Sequence, residues 1–125
     1  MIIGSHILFY STDADKDREF FREVLELPFV DAGHGWLIFG LPPTEAAWHP
    51  AEKPFGMDHA GHSLIGAIVY LMTDDVEGEV ARLAARQVVC TAIAEERWGR
   101  RTSFRLPSGQ EMGLYQPSHP TAIAR

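Results

Sequence analysis

His6 lies in the strand-like run His6-Ile7-Leu8-Phe9-Tyr10-Ser11-Thr12-Asp13-Ala14-Asp15. An imidazole there could act as a general base or orient a substrate by hydrogen bonding. The same pattern returns 62 residues later as Ile68-Val69-Tyr70-Leu71-Met72-Thr73-Asp74-Asp75-Val76-Glu77. Each copy reads as a strand running into a helix start, with Thr12 or Asp74 at the expected N-cap and Asp15 or Glu77 three positions on. The chain is therefore two similar halves. With Ile68 in place of His6, the halves are not equivalent as ligand donors.

Three further sets of residues could bind or react. His59-Ala60-Gly61-His62 has a spacing that can chelate, and His49 and Asp58 lie nearby in sequence; surface-loop histidines are otherwise simply solvated. Arg97, Arg100, Arg101 and Arg105 form the one basic cluster, interleaved with Trp98. They could hold a carboxylate or phosphate, or form a solvated face paired with Glu95, Glu96 or Glu111. Tyr10, Tyr70, Tyr115, Met72, Trp36 and Trp48 could line an apolar cavity or pack as ordinary core. No phosphate-binding Gly-rich loop, Ser-His-Asp set or CxxC pair is present.

The elements that must position these groups follow from periodicity. A strand is expected over 2–11, with Gly4, His6, Leu8 and Tyr10 on one face. A helix over 12–25 follows, its stripe being Phe20, Phe21, Val24 and Leu25, and Pro28 ends it. Short strands are expected over 29–31, 35–40 and 45–49, then a long connection over 50–66. The second half repeats the order: a strand over 67–73, a helix over 75–87, and strands over 88–93, 101–106 and 111–115. The tail after Pro117 is expected to fray. Each half is thus βαβββ. The expected fold is α+β, one domain over 1–125, with module one at about 2–49, the loop at 50–66 and module two at about 67–116. Two such modules build a curved, barrel-like mixed sheet around a cavity.

With 125 residues the chain suits one modest core. Eleven Lys and Arg against 17 Asp and Glu give a net charge of -6, which argues against general nucleic-acid binding. The single cysteine, Cys90, excludes an intrachain disulfide. With no basic, apolar leader at Met1 and no apolar stretch of about 20 residues, a cytoplasmic location without membrane insertion is expected.

Ser5-His6-Ile7 at the first strand, Phe20-Phe21-Arg22-Glu23-Val24-Leu25-Glu26-Leu27 at the first helix end, and Pro107-Ser108-Gly109-Gln110-Glu111-Met112-Gly113-Leu114-Tyr115 near the end of the second module together resemble the vicinal oxygen chelate superfamily of glyoxalase I, extradiol dioxygenases, fosfomycin-resistance enzymes and bleomycin-binding proteins. The resemblance spans about residues 3–117. It implies metal-ligand positions on the first and last strand of each module. These map to His6 and Glu45, which can ligate, and to Ile68 and Gly113, which cannot. Glu111 shares a strand face with Gly113 and could substitute, giving a site of one histidine and two carboxylates. The resemblance further implies a homodimer with a small-molecule cavity. The residues expected at that cavity are Tyr10, His49, Ile68, Tyr70, Met72, Arg101, Gly113 and Tyr115, with Gly113 opening space where a ligand carboxylate would have stood.

Three functions remain open at this point. One is a binder of an aromatic or hydrophobic small molecule without a cofactor. Another is a lyase, isomerase or dioxygenase using Zn, Ni, Mn or Fe on His6, Glu45 and Glu111. The third is a metal-free enzyme with His6 or Glu111 as catalytic base.

Overall fold

The computed structural model describes residues 1–123. Its chain order is α1 (Ala14–Glu23), β1 (Phe29–Asp31), β2 (Leu37–Phe39), β3 (Met57–His59), β4 (His62–Leu64), β5 (Tyr70–Met72), α2 (Val76–Ala84), β6 (Ala94–Glu96), β7 (Gly99–Arg105) and β8 (Glu111–Pro117). The residues fall into two compact units, one of 1–40 with 105–111 and the other of 41–104 with 112–123.

Both helices start by the same device, carried by aligned residues of the repeat. Asp13 caps α1 through Lys16 N–H, and Asp75 caps α2 through Gly78 N–H. The hydroxyl two residues earlier, Ser11 or Thr73, accepts from the cap's own backbone N–H at 3.0 Å in each case. The caps therefore stand one residue beyond Thr12 and Asp74, because the hydroxyl-then-Asp pair satisfies more of the free N–H groups of the first turn. Gly78 is part of this arrangement. A Cβ on it would lie 2.8 Å from Asp75 Cγ, so the glycine leaves room for the capping carboxylate.

In the first unit, α1 buries Phe20 and Phe21. Phe21 meets Phe39 edge-on at 5.4 Å and Phe9 at 6.3 Å, and Phe39 packs on Phe29 at 5.8 Å. β1 and β2 form an antiparallel hairpin in the register Phe29↔Phe39. The buried carboxylate of Asp17 accepts from Ser11 Oγ (2.7 Å), Ser108 N (3.0 Å) and Ser108 Oγ (2.6 Å), which fastens the turn at 105–111 to α1.

The second unit holds a mixed four-stranded sheet of order β5-β8-β7-β6. β5 runs parallel to β8 and β6 antiparallel to β7. With α2 between β5 and β6, the second half is βαβββ as expected. Val76, Leu83 and Phe104 are its most deeply buried side chains, and Met112, Leu114 and Tyr115 are buried as well. Gln116 Oε1 accepts from Val76 N–H at 3.0 Å and fixes the start of α2 to β8.

Several expected elements differ. The 2–11, 45–49 and 88–93 segments are not strands among the described residues. A strand exists only where a ladder partner runs alongside. In 88–93 it is Thr91 that meets β7: its N–H donates to Ser103 O at 2.9 Å and its carbonyl accepts from Thr102 Oγ1 at 2.6 Å. β6 forms instead three residues later. The 50–66 connection is not wholly irregular. It carries the β3–β4 hairpin, whose turn residues Ala60 (φ 50°) and Gly61 (φ 79°) are both left-handed, matching the twist of the flanking strands. The sheets are open, with no closed barrel among the described residues.

Candidate functional site

The second unit gathers its chemistry-bearing side chains around β8. Residues Met112 to Tyr115 are all buried, and β5 lies alongside in the register Tyr70↔Gly113, Leu71↔Leu114, Met72↔Tyr115. The ring of Tyr70 lies over Gly113, where a Cβ would fall 2.9 Å from Tyr70 Cγ and closer to Cδ1 and Cε1. The space that the sequence leaves at Gly113 is therefore filled by Tyr70 rather than open.

Three rings meet here edge to face. Tyr70 and Tyr115 are 5.3 Å apart, Trp98 and Tyr115 5.4 Å, and Tyr70 and Trp98 6.0 Å, with interplanar angles of 71–78°. Such edge-to-face geometry places positive ring edges on negative faces and adds to the gain from burial. Trp98 occupies the β6–β7 turn and remains 39% exposed, so one part of the cluster is open to solvent. The turn is held from behind, since Ser118 N–H donates to Trp98 O at 3.0 Å and Ser118 Oγ to Arg97 O at 3.1 Å. An open groove of about 540 Å³, lined by Glu96, Arg97, Trp98 and His119, adjoins it.

His119 links this cluster to Glu45. Its Nδ1 lies 2.8 Å from Pro120 O, which can only accept, so Nδ1 carries the proton. In the neutral ring Nε2 then accepts from the Tyr115 hydroxyl at 3.1 Å. Glu45 Oε2 lies 3.8 Å from that same Nε2, and Glu45 Oε1 accepts from Ala122 N–H at 2.8 Å. Burial, then the Glu45 charge and then Tyr70, push the Tyr115 phenol above its ordinary value, so it stands as a neutral donor at physiological pH.

The residues singled out from sequence are distributed as follows. Tyr70, Gly113, Tyr115 and Glu45 belong to this assembly, and Met72 pairs in register with Tyr115. Arg101 turns to Glu96 (3.1 Å), His49 Nδ1 donates to its neighbour Pro50 O (2.8 Å), and Ile68 is 73% exposed. His6, Tyr10 and Glu111 belong to the first unit; His6 and Glu111 are exposed, and the Tyr10 carbonyl accepts from Gln110 Nε2. Sequence reading did not place His119 or Ser118, because it expected the tail to fray. The signal was the polar Ser118-His119 pair between Pro117 and Pro120, a stretch too rigid and too rich in hydrogen-bonding groups for an idle end.

The donor set of the second unit does not fit the metal centre that the resemblance implies. Ile68 and Gly113 offer no donor atom, and the Glu45 carboxylate is occupied by the tail. Among the described residues no three His, Cys, Asp or Glu side chains gather into a metal-binding group, whereas a catalytic centre needs about three.

A family model described as the Glyoxalase/Bleomycin resistance protein/Dioxygenase superfamily matches residues 4–114. No curated protein matches the chain. Among solved structures, TnmS3, an antibiotic binding protein from Streptomyces sp. CB03234, is 27% identical; the match covers 94% of this chain and 99% of that one, with a TM-score of 0.63. A lactoylglutathione lyase from Agrobacterium tumefaciens is 19% identical, with coverage of 90% and 94% and a TM-score of 0.56. The fosfomycin resistance protein FosX from Listeria monocytogenes is 14% identical, with coverage of 94% and 96% and a TM-score of 0.54. The last two likenesses concern the fold alone.

Proposed function

Because this chain belongs to the glyoxalase/bleomycin resistance protein/dioxygenase superfamily, we propose that it is a small-molecule-binding protein that takes an aromatic or hydrophobic ligand against Trp98, Tyr70 and Tyr115. The observation that carries this reading is the edge-to-face ring cluster, part exposed at Trp98 and bordered by a groove of about 540 Å³. That size falls within the range of small-molecule pockets, and Trp98 gives it a flat apolar wall beside the polar Glu96, Arg97 and His119. The likeness to an antibiotic binding protein over nearly the whole of both chains supports it.

The functional species is a homodimer. In the first unit Ile2 and Ile3 are 94% and 95% exposed, and Ile7, Leu8 and Phe9 are each more than two-fifths exposed. Exposed apolar side chains gathered in one segment in this way are what a second copy would cover. Light scattering should give twice the chain mass, and a monomer at working concentration would remove this part of the reading.

The binding reading is tested by a thermal-shift screen of aromatic compounds, followed by calorimetry of those that raise the melting temperature. Saturable binding weakened at least about tenfold by Trp98→Ala is expected, since a fully engaged aromatic anchor contributes more than a kcal/mol or so. Binding indifferent to that substitution would overturn the assignment.

A second reading is a metal-dependent lyase, isomerase or extradiol dioxygenase drawing on His6, Glu45 and Glu111. It has in its favour that both first-module positions matched by the resemblance carry donor side chains. Dialysis against Zn, Ni, Mn and Fe(II) followed by metal analysis separates the two. Stoichiometric retention abolished by Glu45→Ala would favour the enzyme, and absence of retention the binder.

A further inference from the structure

The four arginines that flank Trp98 in the sequence differ in their partners. Arg100 is paired with Glu77 (2.6 Å) and Glu95 (2.8 Å), and Arg101 with Glu96 (3.1 Å). Arg105 donates to the Gly109 carbonyl at 2.7 Å. Arg97, next to Trp98 in the β6–β7 turn and on the wall of the groove, has no carboxylate within ion-pair distance among the described residues. Glu96 also lines the groove, yet its carboxylate is bonded to Arg101. The cationic residue on the groove wall is therefore left without a carboxylate partner among the described residues, in a chain whose net charge is -6.

The backbone that carries that charge is anchored. Ser118 binds the carbonyls of both Arg97 and Trp98, so the backbone carrying the guanidinium and the indole is held as one piece. A guanidinium presents several N–H donors in a fixed plane and pairs with carboxylates in two-point fashion. The indole beside it offers a flat apolar surface, backed by Tyr70 and Tyr115. The other titratable groups near this wall are His119, Tyr115 and Glu45. Tyr115 is held neutral, and Glu45 is turned to the Ala122 amide and His119.

We infer that the groove selects planar aromatic anions, with the ring system against Trp98 and an acidic substituent on Arg97. This rests on the binding reading above and adds the ligand's charge class to it. Calorimetry at low salt with three probes of one shape tests it: 2-naphthoate, 2-naphthalenemethanol and 2-naphthylmethylammonium. 2-Naphthoate should bind about tenfold more tightly than the alcohol, with the ammonium weakest, as charge-assisted bonds to a guanidinium are roughly twice as strong as neutral ones. Arg97→Gln should bring the naphthoate to within about twofold of the alcohol, with circular dichroism unchanged, and Arg86→Gln, at an exposed position just after α2 that does not line the groove, should leave the preference intact. Binding of all three with equal affinity, a preference for the ammonium, or a preference that survives Arg97→Gln would overturn this inference while leaving the binding reading standing. Failure of every probe to bind would overturn both.

Discussion

Gly113 on β8 lies opposite Tyr70 on β5, and the missing side chain is what allows the Tyr70 ring to lie down on the strand. A Cβ there would sit inside the contact distance of three ring carbons. This pair sets the tilt of Tyr70 toward Tyr115 and Trp98, and so the shape of the aromatic cluster.

Gly113→Ala should therefore act on the cluster and not on the strand, because Gly113 has no left-handed backbone requirement. Overpacking of this kind costs about 1–3 kcal/mol. Urea denaturation should show that loss, and Tyr70→Ala combined with Gly113→Ala should lose less than the two single changes added together. An unchanged midpoint for Gly113→Ala would refute the contact.

Asp17 is the anchor of the first unit. Its two oxygens take three hydrogen bonds from Ser11 and Ser108. Asp17→Asn keeps the shape but replaces one acceptor with a donor facing a backbone N–H or hydroxyl. A loss of about 1–3 kcal/mol is expected, against no measurable loss for the exposed neighbour Glu19→Gln. Equal stability of the two variants would rule the anchor out.

The Tyr115 phenol should ionise later than an ordinary tyrosine. Burial is the leading cause, with the negative charge of Glu45 and then Tyr70 adding to it. Followed by ultraviolet absorbance, Tyr115 should titrate above the ordinary value of about 10. Tyr115→Phe should remove that late step, and Glu45→Gln should advance it without abolishing it. The sign for stability follows from linkage. The unfolded chain loses this proton first as pH rises, so the contribution is complete below about pH 10 and declines as pH climbs toward the raised folded value.

The tail should be ordered through Glu45. Its Oε1 holds the Ala122 amide, and its Oε2 stands beside His119. In hydrogen exchange the Ala122 amide should be protected, and Glu45→Ala should release it by at least about tenfold, the loss of one hydrogen bond to a charged acceptor. His119→Ala should weaken this protection less, since Glu45 keeps its direct bond to the amide. Rapid exchange of Ala122 in the unaltered protein would contradict the latch.

Reading the sequence alone was enough for whatever short-range rules govern. The repeat of His6 to Asp15 in Ile68 to Glu77 carried a hydroxyl followed by an aspartate into both halves, and both helices start on that pair. The apolar stripes through Phe20 and Phe21 and through Val76 and Leu83, together with the long strands β7 and β8, were legible because their periodicity lies within one segment. The family resemblance was legible too, and with it the α+β glyoxalase-like fold. What only the tertiary structure decided were the partnerships between distant residues. Extended runs such as 2–11 carry strand propensity, but a ladder needs a neighbour that no local pattern specifies. Gly113 reads as vacant space until Tyr70 is seen to occupy it, 43 residues away in the chain. That the oxygens of Glu45 meet the Ala122 amide and His119 could not be read from its place in the sequence. Buried polar groups take whichever partner the fold delivers, and the tail from Ser118 delivers one that its position after the last strand did not announce.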